Sequence, residues 1–238
     1  MHVLALDTTT RDGSVALVTE HGVVDERRGD ASRTHVQRMP GEILDLIGTH
    51  GMSVGAIDLF AVASGPGSFT GLRIGMATIQ GLALATGRRV VVVSALDALA
   101  ECARLTAPVG ARVATWMDAH RHEVFAARYA VAEDAEMGTR MEEVDGPSVG
   151  DPVATLDHWA DGFRGRRAMF IGDGAVLYAN RIEARMPGAT VIPIPLLAGA
   201  IGRMAIRRAA RGESVHPAAV QPFYVRRPDV EIERERTR

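Results

Sequence analysis

Apolar residues fall in short runs separated by turn-forming residues, with stretches of helical spacing between them. Val3–Leu6 is the first run, and Arg11-Asp12-Gly13 forms a turn sequence leading into Ser14–Val18. His21-Gly22 turns the chain again into Val23–Arg28, so the pattern predicts a three-strand meander. Val36, Met39, Ile43 and Ile47 then share one helical face, with Thr34 as a candidate cap. Pro40 lies inside that pattern and is expected to kink the helix or restart it. A strand at Ile57–Ala63, a glycine-rich turn, a helix over about 71–86, a strand at Val90–Val93 and a helix at Leu96–Leu105 follow. The order is βββαβαβα.

The pattern then returns. Val113–Asp118 ends on an aspartate as Val3–Asp7 does, and EVFAARY (123–129) takes the place of the second strand. AMFIGDG puts Gly172 and Gly174 after a strand, as FAVASGPG puts Gly65 and Gly67. Helices over about 175–185 and 196–211 follow, separated by the strand-like ATVIPI. This layout suggests two related α/β lobes, residues 1–106 and 107–238, the alternative being chance likeness between two α/β halves. The last helix is a candidate to pack back on the first lobe. From about residue 227 the charges alternate with few apolar residues, which predicts a solvated or disordered tail; an arginine-lined RNA contact is weakened by the interleaved glutamates.

Composition narrows the chemistry. A chain of 238 residues fits one or two domains and needs no disulfide or metal to hold a core. The net charge of −2 provides no global field for nucleic acid. All 27 basic residues are arginines, so a P-loop lysine, a Schiff-base lysine and a lysine general base are excluded together. The one cysteine, Cys102, fits a reducing compartment. No basic leader precedes the first apolar run, and Val90–Ala100 is interrupted by Asp97, so a soluble, cytoplasmic protein is expected.

The stretch SGPGSFTGLRIG (64–75) concentrates glycine between a predicted strand and a predicted helix. A Rossmann fingerprint needs glycine where Thr70 stands, and a Walker A loop needs a lysine. Both templates fail. Backbone N–H groups at the helix start still form a concavity suited to anions. Alternatively, Gly71, Gly75, Thr78 and Ala85, with Ala77 and Gly81 beside them, form a small face for close packing. The partner is then either a helix of the same chain or another subunit.

LALDTTT, TH-VQ-MP, GPGSFTGLRIG, MDAHRHEVF, GDG and QPFYVRR run in this order over most of the chain. Together they resemble the bacterial TsaB (YeaZ) family. The resemblance implies a two-lobed actin-like ATPase fold (ASKHA, ribonuclease H-like) with duplicated βββαβα lobes. It implies a non-catalytic subunit that binds and activates the transferase TsaD in forming threonylcarbamoyladenosine (t6A) at position 37 of tRNA, with the ATPase TsaE as a further partner. tRNA is then met through the complex, no membrane is involved, and a homodimer is the alternative state. No cofactor is expected on this chain alone; ATP, magnesium and a metal belong to the partner subunits. Carried over by motif, Gly71, Arg73, Ile74, Met76, Ala77 and Thr78 are interface candidates, with His35 a weaker one. Gly75→Leu and Arg73→Glu are expected to break the assembly and spare the fold.

The rival reading is an ATP-dependent enzyme of the same fold, a small kinase or transferase. Asp7, Thr8, Gly65 and Gly67 are the candidate vestigial nucleotide-binding residues. Three threonines follow Asp7 where catalytic relatives carry a glycine-containing turn, so Asp7 is expected mainly to hydrogen-bond its own turn. None of the eight histidines has the His-x-x-x-His spacing of the metal-binding paralogue. Asp118, His120 and His122 would share a strand face, but the pattern reads as surface variation near a hairpin rather than a metal site. Ser68 lacks a nucleophile elbow.

Overall fold

A computed structural model describes residues 1–226. The first half runs β1 (Val3–Asp7), β2 (Ser14–Thr19), β3 (Gly22–Arg28), α1 (His35–Thr49), β4 (Leu59–Gly65), α2 (Phe69–Thr86), β5 (Arg89–Ser94) and α3 (Ala95–Arg104). The second runs β6 (Arg112–Asp118), β7 (Val124–Asp134), β8 (Gly138–Gly150), α4 (Pro152–Phe163), β9 (Ala168–Ile171), α5 (Asp173–Leu177), α6 (Ala179–Arg185), β10 (Thr190–Ile192) and α7 (Ala198–Ala210). Two compact units result: Met1–Leu105 with Ile194–Pro222, and Thr106–Pro193 with the segment from Phe223. Residues 194–222, counted with the second lobe in a division at 106, therefore group with the first unit.

In the first unit the sheet order is β3-β2-β1-β4-β5, with the first three strands antiparallel and β1, β4 and β5 parallel. Alternation along the strands decides what covers each face. Leu4, Leu6, Val15, Leu17, Phe60 and Val62 belong to one core with Met39, Ile43 and Leu46 of α1 and Met76, Ile79 and Ala83 of α2. Each large side chain in it contributes about 1.5–3 kcal/mol by leaving water. The alternate residues of the same strands meet α7 instead: a Cβ on Gly202 would lie 2.5 Å from Val18 and 3.3 Å from Ala5. With both faces covered, all five residues of β1 are buried. The Ser14 hydroxyl accepts the Ala198 N–H at 3.0 Å, and Glu26 accepts the Gly199 N–H at 2.8 Å, so the sheet satisfies the start of α7. Arg208–Asp97 and Arg207–Glu101 pairs, each at 3.0 Å, tie α7 to α3. Cys102 donates weakly to the Leu196 carbonyl at 3.8 Å, and burial pushes its thiol up to about 12, which makes it an unreactive packing residue.

The second unit repeats this order as β8-β7-β6-β9-β10 with the same strand directions. Its core is aromatic: Trp116 meets Phe170 edge-on at 5.4 Å, and Phe163 stacks on Phe170 at 5.4 Å. The fold is therefore α/β with duplicated βββαβα sheets, as the repeat in the sequence predicts.

Four local expectations need correction. α1 runs unbroken through Pro40. The carbonyl that the missing N–H leaves unbonded is that of exposed Val36 in the first turn, where water replaces it cheaply. β4 starts at Leu59, because residues 54–56 form a 3₁₀ turn that ends on buried Ile57. The helix expected over 175–185 is two helices, broken at Tyr178 (φ −109°, ψ 21°). β8 and α4 are additional elements. Among the described residues no helix is long and apolar enough to cross a membrane. The charged tail falls outside the described residues.

Candidate partner interface

The glycine-rich turn is built against the first hairpin. Gly65 (φ 112°) and Gly67 (φ 154°) adopt backbone conformations that side chains resist, and the Gly65–Pro66 bond is cis. Ser68 then donates its N–H to the Thr9 carbonyl at 2.8 Å and caps α2 by accepting the Gly71 N–H at 3.2 Å. Asp7 is buried and accepts both the N–H and the hydroxyl of Thr9, at 2.9 and 2.7 Å. Asp7 thus holds its own turn, as expected of an aspartate at that position. A Cβ on Gly67 would meet Thr9 at 2.6 Å; one on Gly71 would overlap the Thr8 carbonyl, and one on Gly75 the Thr8 hydroxyl. The glycines let α2 lie directly on residues 7–9. The structure brings Asp7, Thr8, Gly65 and Gly67 together, and Thr8 Oγ1 is buried with no hydrogen-bond partner among the described residues.

This packing divides α2 into two faces. Gly71, Leu72, Gly75, Met76, Ile79 and Ala83 point inward. Arg73, Ala77, Gly81, Leu84 and Ala85 are exposed, and Arg73 places its guanidinium 4.0 Å from the ring of half-exposed Phe69. Of the interface candidates, Arg73 and Ala77 face outward, Ile74 and Thr78 are half-buried, and Gly71 and Met76 are inside. Gly75 is inward as well, so the expectation that Gly75→Leu spares the fold is corrected: the side chain would enter the hairpin turn, not a partner.

α1 flanks the same core and exposes Val36, Pro40 and Leu44 one turn apart. Its N-terminus is fixed by Gln37, whose Oε1 accepts the Thr34 N–H at 3.0 Å. His35 is half-buried, with Nε2 at 3.1 Å from the Thr10 carbonyl and Nδ1 at 2.7 Å from Arg38. Burial, then the Arg38 charge, lowers its pKa, so the ring is neutral near pH 7 and braces the hairpin. Arg38 itself is buried, pairs with Glu42 at 2.6 Å and donates to the Asp12 carbonyl. Val36 is exposed, which corrects its place on the core face with Met39, Ile43 and Ile47, and Leu44, Phe69 and Leu84 were missed as surface candidates. The signal for Val36, Pro40 and Leu44 was present: apolar residues at i, i+4 and i+8, off the core face of an amphipathic helix.

The second half repeats the corner with different contacts. Asp118 accepts the His120 N–H at 2.8 Å, matching Asp7 and Thr9. The idea that Asp118, His120 and His122 share a strand face is corrected. β6 ends at Asp118, and His120, Arg121 and His122 all take left-handed conformations (φ 56°, 55° and 65°), so strand alternation stops there. Among the described residues no group of three His, Cys, Asp or Glu side chains is arranged to hold a metal. Asp173, half-buried beside Asp118, accepts the Asp118 and Gly174 N–H groups, and burial raises its pKa.

Duplicated βββαβα sheets, each with an aspartate ending its first strand and glycines after its fourth, define an actin-like fold. A family model described as "TsaD: tRNA N6-adenosine threonylcarbamoyltransferase" matches residues 17–152. The solved structure of YeaZ from Pseudomonas aeruginosa superimposes with a TM-score of 0.73 at 31% identity, covering 94% of this chain and 99% of that one. The tRNA threonylcarbamoyladenosine biosynthesis protein TsaB of Haemophilus influenzae is 29% identical over 192 residues, 79% of each chain. The TsaB protein of Escherichia coli is 39% identical over 129 residues, 54% of this chain and 55% of that one. The chain belongs to the TsaB (YeaZ) family, within the wider TsaD-type group that the family model describes.

Proposed function

We propose that this chain is a non-catalytic subunit for threonylcarbamoyladenosine synthesis at position 37 of tRNA, one that binds and activates a TsaD-type transferase through the outward faces of α1 and α2. A role in this modification is supported by the TsaB relatives, whose names state it. The observation that carries the interface is the two-faced α2. Its inner glycines are used up on the chain's own hairpin, while Ala77, Gly81 and Ala85 at four-residue spacing remain outside, as Val36, Pro40 and Leu44 do on α1. Small outward residues let a partner helix approach closely and gain dispersion contacts. Activation then consists of stabilising the transferase in its competent arrangement. A TsaE-type ATPase completes the assembly, and ATP, magnesium and a metal are held by the partners. A second copy of this chain covers the same face when the transferase is absent.

The test combines a TsaD-type transferase, a TsaE-type ATPase, tRNA, ATP and the threonylcarbamoyl donor, with and without this chain, and quantifies the modified nucleoside by mass spectrometry. Product is expected only with both chain and transferase. Product without the chain removes the proposed role; product from the chain without the transferase makes it an enzyme. Ala77→Glu and Gly81→Leu are expected to lower product at least tenfold and abolish co-elution with the transferase, with melting unchanged. Normal co-elution of both variants rules out this face.

A further inference from the structure

Four arginines of the second unit, Arg112, Arg128, Arg166 and Arg167, form no ion pair among the described residues, and the fold gathers them at one end of the sheet. Arg112 opens β6 and pairs across with Ala130 of β7, so Arg128 is its diagonal neighbour on the same face. The Arg112 N–H donates to the Arg167 carbonyl at 2.9 Å, which draws the loop after α4 to this end. Arg166 is held there by its own N–H to the Phe163 carbonyl at 3.0 Å, leaving an exposed side chain.

Arg128 crosses from β7 to the end of α4. It donates to the Trp159 carbonyl at 3.3 Å and lies 5.7 and 5.9 Å from the rings of Trp159 and Phe163. Gly162 leaves room for it, since a Cβ there would overlap the guanidinium in this position. Its Nε is buried with no hydrogen-bond partner among the described residues. The carboxylates that share this end are already engaged. Glu142 pairs with Arg140 at 2.5 Å, and Asp145 accepts Trp159 Nε1 at 2.5 Å with His158 at 3.4 Å. Burial and then the guanidiniums of Arg166 and Arg128 lower the pKa of Arg112, with the Glu142 charge opposing them.

Three guanidiniums here face one nearby carboxylate, Glu142, which Arg140 also shares, so an added anion would relieve their repulsion. We infer that Arg112, Arg128 and Arg166 form a phosphate-binding patch for the backbone of an RNA. Guanidinium forks match phosphate oxygens. Arg112 and Arg128 are half-buried and Arg166 is exposed, and exposed Arg164, Arg167 and Arg140 lie nearby in the chain or on the next strand, which suits an extended polyanion touching several sites over a single small anion. Trp159 and Phe163 are buried beneath Arg128, so no ring is offered for stacking on bases. The contact is therefore to backbone and independent of sequence. A chain of net charge −2 thus carries a local cationic surface. Naming tRNA as the RNA rests on the function proposed above.

The test measures fluorescence anisotropy of an unmodified tRNA transcript titrated with the full chain, alone and with its transferase, over a range of salt. R112Q/R166Q is expected to bind at least about tenfold more weakly at low salt and to reduce the slope of log K against log salt by about 0.7–0.9 per lost contact. R112K/R166K keeps the slope. R33Q/R88Q in the first unit changes neither. Circular dichroism and melting confirm folding, and Arg128 is left intact because it also holds Trp159. An unchanged slope in R112Q/R166Q, or no RNA binding by the wild-type chain in either setting, overturns the patch. The same variants in the modification assay separate the two proposals. Chain-dependent product with unaltered RNA binding in R112Q/R166Q removes the patch alone. Weakened RNA binding with modification that never needed the chain removes the proposed function alone.

Discussion

The two strand–glycine–helix corners, Gly65–Gly67 and Gly172–Gly174, serve the same topology with opposite contacts. In each, an aspartate at the end of the first strand accepts the N–H two residues on. In the first, backbone meets backbone: Ser68 N–H bonds to the Thr9 carbonyl, and Gly67, Gly71 and Gly75 let an 18-residue helix lie against the turn. In the second, a carboxylate fills that place: Asp173 accepts the Asp118 N–H, and the following helix stops after five residues. The long helix presents an exposed outer face; the short one does not extend far enough to present one. Duplication preserved the sheet, and the glycine spacing decided which copy carries an outward-facing helix.

The comparison breaks most visibly at Gly75. Leucine there must displace the Thr8 side chain or lift α2 from the hairpin, and it is expected to cost about 3 kcal/mol or more. Urea unfolding checks this. A wild-type midpoint would mean that the hairpin and α2 separate easily and that the glycines serve something other than close approach. A smaller loss is expected in the second corner. A Cβ on Gly174 would stand 2.8 Å from the Met117 carbonyl carbon, but alanine regains about 1 kcal/mol of helix propensity. Gly174→Ala is therefore expected to cost about 1–2 kcal/mol by the same measurement. A cost equal to that at Gly75 would show that the two corners are equally tight.

Much of this was legible in the sequence, and the reasons differ by element. Turn residues between short apolar runs marked the first sheet, and Asp118 and Gly172–Gly174 marked its copy. β8 escaped because, as an edge strand, it alternates charge with a few apolar residues and includes Pro147, whereas α4 carried an Asp151-Pro152 start signal that was passed over. The small face of α2 was legible as a face but not as two. Gly71 and Gly75 look like Ala77 and Gly81 in sequence, and only the position of Thr8 separates inner from outer. The arginine patch was invisible because its members lie far apart in the chain and meet through strand register and the loop after α4.

The smallest expected effect concerns Asp173, whose carboxylate replaces a backbone contact in the second corner. Burial raises its pKa, and nearby Asp118 adds to this, while the hydrogen bonds from the Asp118 and Gly174 N–H groups oppose it. A carboxyl with a raised folded pKa favours folding in its protonated form. Its contribution is fully present below the unfolded value of 3.8 and is lost as the pH rises through the higher folded value. In an Asp173→Asn variant the side-chain amide keeps an oxygen to accept both N–H groups and never ionises. The variant is therefore expected to match wild type in acid and to become the more stable protein as the pH rises towards neutrality. Urea unfolding at a series of pH values reads the difference directly. A difference that stays flat with pH would mean that the hydrogen bonds outweigh burial, and that this carboxylate fits its corner as comfortably as Asp7 fits the first.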